Sequence, residues 1–323
     1  MNKLFKNACN RINQPTPPIW YMRQAGRYHS HYRNLKQSYT FEQLCKIPEM
    51  AAEVACGPVE EFDLDVAILF SDILYVLEGL GLPLKFSPGP KFGDIVTEDN
   101  VGKYSDVDRA VEHMQFQHDC IQATRAKLRS CTSLIGFVGG PWTVLRYAIG
   151  GTNKTGKGAF YTSYLKDVII PLLKRNIQLQ LDAGVEKVMI FDSGVADMNL
   201  YYHEHHYVPM LKELVGPNVG YYARGKTIEL TKDLGWDGIA IDSTQSLSDT
   251  FQKSNTGFVQ GNFDEQALLL PTNEFRNRLE EFCNELQSVD RTGWVCGLGH
   301  GINKDTPEEH VHIFVDEIRK RFN

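Results

Sequence analysis

Residues 187–193 read KVMIFDS. Val188 to Phe191 are continuously apolar, and the chain then switches at once to Asp192 and Ser193. A strand with one face in water alternates apolar and polar residues, whereas a strand buried on both faces does not. The preceding stretch, SYLKDVIIPLLKRNIQLQLDAG (163–184), has the apolar spacing of a helix. Helix, buried strand and polar strand end together make one parallel α/β unit.

The same unit recurs along the chain. Short apolar, β-branched or aromatic runs fall at IWYM (19–22), VAILF (66–70), LIGFV (134–138), VGYYA (219–223), GIAID (238–242), GFVQG (257–261) and WVCGL (294–298). Helical periodicity separates several of them, as in FEQLCKIPEMAAEVACGPVEEF (41–62) and VDRAVEHMQFQHDCIQATRAKLRS (107–130). The last helix is expected over 307–322, with Thr306 as its N-cap and Pro307 in its first turn. GLPLKFSPGPKF (81–92) reads as a small inserted hairpin turning at Pro-Gly-Pro. Eight strands alternating with helices predict an α/β fold, a (β/α)8 TIM barrel forming a single domain over residues 1–323. At about 150 residues per domain the length also suits two domains, but such barrels commonly take about 250 residues or more as one unit. An open doubly wound sheet would need a Gly-rich first βα turn or another marked switch-point site, and no such motif is found.

Composition narrows the function. Hydrophobic residues are 42% and charged residues 23%, which is ordinary globular usage and argues against a disordered or fibrous chain. Lys plus Arg is 34 against 40 Asp plus Glu, giving a net charge of −6. A broad nucleic-acid-binding surface is not expected on such a body, so an anionic ligand would need a local basic pocket. The seven cysteines at 9, 45, 56, 120, 131, 283 and 296 form no CxxC pair and read as free thiols of a reducing cytoplasm. No signal peptide, transit extension or membrane-spanning run is expected.

Polar residues cluster where strands end. Arg23, Gln24, Ala25, Gly26 and Arg27 follow the first run, and Ser71 and Asp72 the second. GGPWT and Tyr147 follow the third, Asp192 and Ser193 the fourth, and Asp242, Asn262 and His300 end later ones. In a barrel these positions share the C-terminal rim, where active sites lie. Two arginines without a metal-ligand cluster point to a carboxylate or phosphate ligand. Each residue also has an ordinary reading. Arg23 and Arg27 fit loop salt bridges, or two planar forks with Gly26 permitting close backbone approach. Asp72 fits a helix N-cap, or a desolvated acceptor and counter-charge to a developing cation. His300 fits a structural histidine, or a site residue on the permissive, exposed backbone between Gly299 and Gly301.

Taken together, WYMRQAGRY (20–28), LFSDIL (69–74), GFVGGPWT (136–143) with Tyr147, FDS (191–193), QGN (260–262) and GLGHG (297–301) closely resemble the uroporphyrinogen decarboxylase family. The matches run in order over nearly the whole chain, and MRQAGRY is the most specific. The resemblance implies a single-domain barrel, usually a homodimer. It implies removal of the four acetate carboxyls of uroporphyrinogen III to give coproporphyrinogen III in heme synthesis. No metal, flavin, pyridoxal or other cofactor is implied. By motif position, substrate binding falls on Arg23, Gln24, Ala25, Gly26 and Arg27, with further contacts at Tyr147, Ser193 and His300. The essential aspartate falls on Asp72, with Arg23 and Arg27 in catalytic support.

The chain departs from the family pattern in places. Leu-Pro-Glu after MRQAGRY is replaced by His29, Ser30 and His31, and Pro-Gln-Ala by Leu77, Glu78 and Gly79. Leu-Asp-Pro becomes Phe263, Asp264 and Glu265, and the Trp after Leu-Asp becomes Ser243. None removes a carried-over site residue. Two rivals remain: a zinc-dependent cobamide methyltransferase of the same barrel superfamily, and a non-catalytic tetrapyrrole carrier. For zinc, His118, Cys120 and Cys131 are the candidate ligands, although they fit ordinary helix positions better. GTNKTGKG (151–158) approaches a P-loop but ends in Gly158 where a magnesium-binding hydroxyl is needed. HEHH (203–206) lacks the HExxH spacing and reads as a partly exposed helix face.

Overall fold

A computed structural model describes residues 1–151, 158–198, 202–231, 234–253 and 257–323. The apolar runs form one parallel sheet. Its strands are β1 (Val66–Ile68), β4 (Ser133–Gly139), β5 (Lys187–Phe191), β6 (Val219–Tyr222), β7 (Gly238–Ala240), β8 (Phe258–Phe263) and β9 (Trp294–Leu298), paired in that order. β2 (Leu84–Phe86) and β3 (Pro90–Phe92) form the expected antiparallel hairpin, with Leu84 opposite Phe92.

The ring closes through residues 18–20. On one side the Trp20 N–H donates to Cys296 O at 2.9 Å and the Cys296 N–H to Pro18 O at 2.8 Å. On the other, the Asp65 N–H donates to Ile19 O at 3.1 Å, while Ile19's own N–H is taken by Asp65 Oδ2 at 2.7 Å. The run expected as a full strand over 19–22 is thus reduced to a single bridge at Ile19. Pro17 and Pro18 carry no N–H, and a carboxylate occupies the next donor. With that segment in the eighth place, the sheet is a (β/α)8 barrel.

Prolines also divide the helices. The 41–62 stretch becomes Phe41–Lys46 and Pro48–Phe62, because Ile47 before a proline is held extended at φ −87° and ψ 117°. Thr40 and Gln43 complete a capping box on the first piece. The 107–130 stretch divides at Met114 into Val107–His113 and Gln115–Lys127. The 163–184 stretch contains a wide turn, Leu165–Ile169, just before Pro171, which has no N–H to continue an α-helical ladder. The last helix is Glu308–Arg321, and its N-cap is Pro307, with ψ at 132°. Thr306 therefore does not cap it, because the extended proline moves the first helical residue to Glu308; the Thr306 hydroxyl is buried without a partner among the described residues.

Side chains fill the barrel. Trp20, Val66, Ile135, Met189, Ala240 and Val295 form its interior with Phe5 and Phe258. Phe5 lies on the helix Lys3–Cys9 and meets Phe258 at 5.5 Å, so this helix plugs the N-terminal end. A second, larger apolar layer lies between strands and helices. No described helix is long and apolar enough to cross a membrane.

Candidate active site

With the N-terminal end plugged, open space lies at the C-terminal strand ends. A cavity of about 1010 Å³ there is lined by Arg23, Gln24, Ala25, Gly26, Arg27, Asp72, Tyr147, Ser193 and His300. All nine residues assigned by the family motifs therefore share one space.

The arginine loop follows the seam at Ile19 and is pinned by its own polar groups. The Tyr28 hydroxyl donates to Gln24 O at 2.6 Å, and Gln24 Nε2 donates to Val66 O at 2.6 Å. Arg33 donates to the carbonyls of Arg27, at 3.1 Å, and Tyr28, and pairs with Glu308 at 3.2 Å. Glu308 also accepts the Ser30 N–H at 2.6 Å, a bond that the family's usual proline at this place could not make. Arg23 and Arg27 are exposed and form no ion pair among the described residues, which leaves both guanidinium groups for a ligand. Gln24 is buried, and its amide nitrogen serves the loop. A Cβ on Gly26 would meet only the Tyr28 ring, at 3.7 Å, so internal packing does not demand glycine there. Its place in the cavity wall fits backbone left open to a ligand.

Asp72 follows β1. Its Oδ1 accepts the Leu74 N–H at 2.9 Å, within the turn that precedes the helix Tyr75–Gly79. Burial pushes its carboxyl up to about 6; the Leu74 N–H and the charge of Arg23 oppose that rise. His300 follows β9. Its Nδ1 lies 3.2 Å from the Tyr222 hydroxyl, and burial lowers its pKa below the usual 6.5. Gly299 is buried, not exposed as expected from sequence: a Cβ would lie 2.6 Å from Ser243 N, so the close loop crossing requires glycine. Gly301 leaves room for the Arg23 side chain, which a Cβ would approach to 3.2 Å. Tyr147 projects from the helix Pro141–Ala148 and is 40% exposed. Ser193, also exposed, opens the short turn after β5.

Other strand-end polar residues are used within the fold. Asp192 is fully buried and accepts from Thr143 N and Oγ1, at 2.9 and 2.8 Å, and from the Tyr207 and Tyr221 hydroxyls. Asp242 accepts from Thr244 and the Gly225 N–H, and Asn262 donates to Asp242 O at 3.0 Å and Gln245 O at 2.6 Å. These three fasten loops.

Sequence reasoning missed Arg33, Lys36 and Lys304, which also line the cavity. Their signal was proximity to MRQAGRY and GLGHG. Five cationic residues and one carboxylate, Asp72, thus surround the space among the described residues. The hairpin supplies a wall through Phe86 and residues 87–90, while Met22, Phe137 and Phe191 contribute apolar surface.

The competing motifs have other settings. His118 bonds Asp119, the Cys120 thiol donates to Cys45 O, and Cys131 is exposed. Among the described residues no three His, Cys, Asp or Glu side chains are grouped to hold a metal. Glu204, His205 and His206 are exposed on the wide-turn helix His203–Tyr207. Residues 152–157 of the P-loop-like segment lie outside the described residues.

Comparison with known proteins agrees with the motifs. The family described as Uroporphyrinogen decarboxylase (URO-D) matches residues 1–321. The uroporphyrinogen decarboxylase of Carboxydothermus hydrogenoformans is 34% identical, covering 99% of this chain and 97% of its own. That of Ruthia magnifica is 33% identical, covering 98% and 99%. A methyltransferase from Methanosarcina mazei superposes with a TM-score of 0.83 over the full length of both chains at 16% identity, a likeness of fold alone. The chain belongs to the uroporphyrinogen decarboxylase family and is a carboxy-lyase.

Proposed function

We propose that residues 1–323 act as one catalytic barrel that converts uroporphyrinogen III to coproporphyrinogen III and four CO2 in heme synthesis. The observation that carries this reading is one cavity that gathers five cationic residues and one carboxylate held at a raised pKa. An octa-anionic macrocycle needs local positive charge, and the arginine loop supplies it on an acidic body.

Loss of CO2 breaks a carbon–carbon bond and leaves an electron pair that needs a sink. A pyrrole protonated at a ring carbon is cationic and imine-like, and it accepts that pair. A proton then converts the residual methylene to methyl, and the proton first added at the ring carbon leaves to restore the neutral pyrrole. The substrate thus provides the sink that another enzyme would draw from a cofactor. Asp72, ionised, accepts hydrogen bonds from the central pyrrole N–H groups and stabilises the cationic ring. Arg23 and Arg27 hold acetate and propionate groups; because arginine stays charged, we give them electrostatic work and at most a minor part in proton delivery. Gln24, Ala25 and Gly26 shape the loop, while Tyr147, Ser193 and His300 hydrogen-bond side-chain carboxylates. The same reading takes the protein as a cytoplasmic homodimer, for which the seven free thiols support a reducing compartment.

Anaerobic incubation with uroporphyrinogen, followed by separation of products by carboxyl number, tests the reading. A ladder ending at the four-carboxyl product is expected. Persistence of the eight-carboxyl species alone would overturn it; bound porphyrinogen without CO2 would then indicate a carrier, and stoichiometric zinc a methyltransferase. Sedimentation at several concentrations tests the dimer.

A further inference from the structure

The chain between Ile68, where β1 ends, and the helix starting at Tyr75 has no regular backbone pairing, yet it carries Asp72. Leu69 still donates to Ile135 O at 2.9 Å. Beyond it, side-chain bonds fasten the segment: Asp72 to the Leu74 N–H, and Ser71 Oγ, which accepts from Gln117 Nε2 at 3.0 Å.

Gln117 comes from the helix Gln115–Lys127 and is 2% exposed. Its Oε1 accepts from Asn176 at 2.8 Å and from Gln180 at 3.2 Å. With the acceptor end engaged twice, the amide orientation is fixed and Nε2 faces Ser71. Gln180 in turn donates to Phe137 O and accepts the Phe137 N–H, both at 2.9 Å. Phe137 belongs to β4, and its residue lines the cavity. Three buried amides therefore join two outer helices to the cavity wall and to the residue beside Asp72. Replacing such a network wholly by apolar side chains of similar shape can be neutral or stabilising, so stability alone does not account for it.

We propose that Gln117 is a positioning residue that fixes the Ser71–Asp72 turn for catalysis. The proposal rests on the decarboxylase reading above. A displacement of 1 Å in a reacting group can cost about 10²-fold in rate, and a turn without backbone pairing is where such a displacement is easiest.

The test measures kcat and KM for uroporphyrinogen with the parent, Gln117→Met, Ser71→Ala and the double variant. Each single change should lower kcat about tenfold or more with little change in KM. The double variant should lose no more than the worse single variant, because both remove the same bond. A folded Gln117→Met protein with parental kcat, or single losses that multiply in the double variant, would overturn the proposal. If Gln117→Met does not fold, Ser71→Thr decides the matter. It keeps the acceptor and should recover what Ser71→Ala loses; equal loss in both overturns the proposal. An inactive parent overturns the decarboxylase reading and this proposal together, whereas an active parent with unaffected variants overturns the positioning role alone.

Discussion

Asp72 Oδ1 accepts the Leu74 backbone N–H at 2.9 Å, while Oδ2 has no hydrogen bond among the described residues. One oxygen holds the turn and the other is free to accept from a ligand. Asp72→Asn keeps an acceptor for Leu74 but removes the charge that would face a cationic pyrrole. Turnover should fall about 10²–10³-fold, as when one preorganised electrostatic group is removed. Steady-state kinetics on the folded variant checks this, and near-parental kcat would exclude the role.

The same substitution should stabilise the protein at neutral pH. The Asp72 carboxyl is raised from 3.8 to about 6, so between those values the folded protein retains a proton that the unfolded chain has released. Folded stability therefore falls as pH rises through this window and stays lower above it. The rise from 3.8 to about 6 corresponds to about 3 kcal/mol. Asp72→Asn should melt several degrees above the parent near pH 7 and lose that advantage below about pH 4. Calorimetric scans across pH give the comparison; a melting difference independent of pH would contradict it.

His29 contributes pH dependence of the opposite sign. It occupies the place of a family leucine, packs on Phe62 at 5.0 Å, and has an Nδ1 without a partner among the described residues. Burial lowers its pKa below 6.5; Glu308 and Glu61 oppose the shift, and His31 and Arg33 reinforce it. As pH falls through about 6.5, the unfolded chain takes up the proton first and stability declines. His300 has the same direction of shift. His29→Leu should restore the apolar packing and gain about 1 kcal/mol, most visibly on the acid side. Urea unfolding at mildly acidic and neutral pH measures the gain, which should shrink at the higher pH.

Most strands were legible because two-sided burial leaves an unbroken apolar run, as in β5 and β9. The helix break at Ile47 is legible from Pro48 alone. The strand at Ile19 was overestimated because its outcome depends on Asp65, a residue 46 positions away that takes the Ile19 N–H. The site was legible where strand ends deliver side chains to the cavity, as at Asp72 and His300. Strand-end carboxylates look alike in sequence, however. Asp192 differs from Asp72 because Thr143, Tyr207 and Tyr221 surround it, and only tertiary structure brings them there. Arg33 and Lys36 escaped notice because they lie in and just after the helix Ser30–Leu35, away from a strand end.

Asp65 is therefore a direct probe of barrel closure. Besides the Ile19 N–H it engages Arg319 and, at 3.3 Å, Asn2 Nδ2. Asp65→Ala would leave a buried N–H and a partly buried guanidinium without their acceptor, costing about 3–5 kcal/mol. Asp65→Asn keeps one acceptor and should cost less. Denaturant unfolding should rank parent, Asn and Ala in falling order, and an Ala variant as stable as the parent would show that the seam does not depend on this carboxylate.

Arg23 and Arg27 test how an acidic chain binds a polyanion. The net charge of −6 opposes such a ligand at long range, but Arg23 and Arg27 are cavity residues without an ion pair among the described residues. Each charge-assisted bond to a carboxylate is worth about 1.5–3 kcal/mol. Arg23→Ala or Arg27→Ala should therefore weaken porphyrinogen binding about 10–100-fold. Lys320, 78% exposed on the last helix, removes the same formal charge when changed to alanine but lies outside the cavity lining. Its loss should change binding less than about twofold at physiological salt, where surface charges are screened. Equal weakening in Lys320→Ala and the arginine variants would mean that total charge governs affinity; the contrast predicted here requires that placement does.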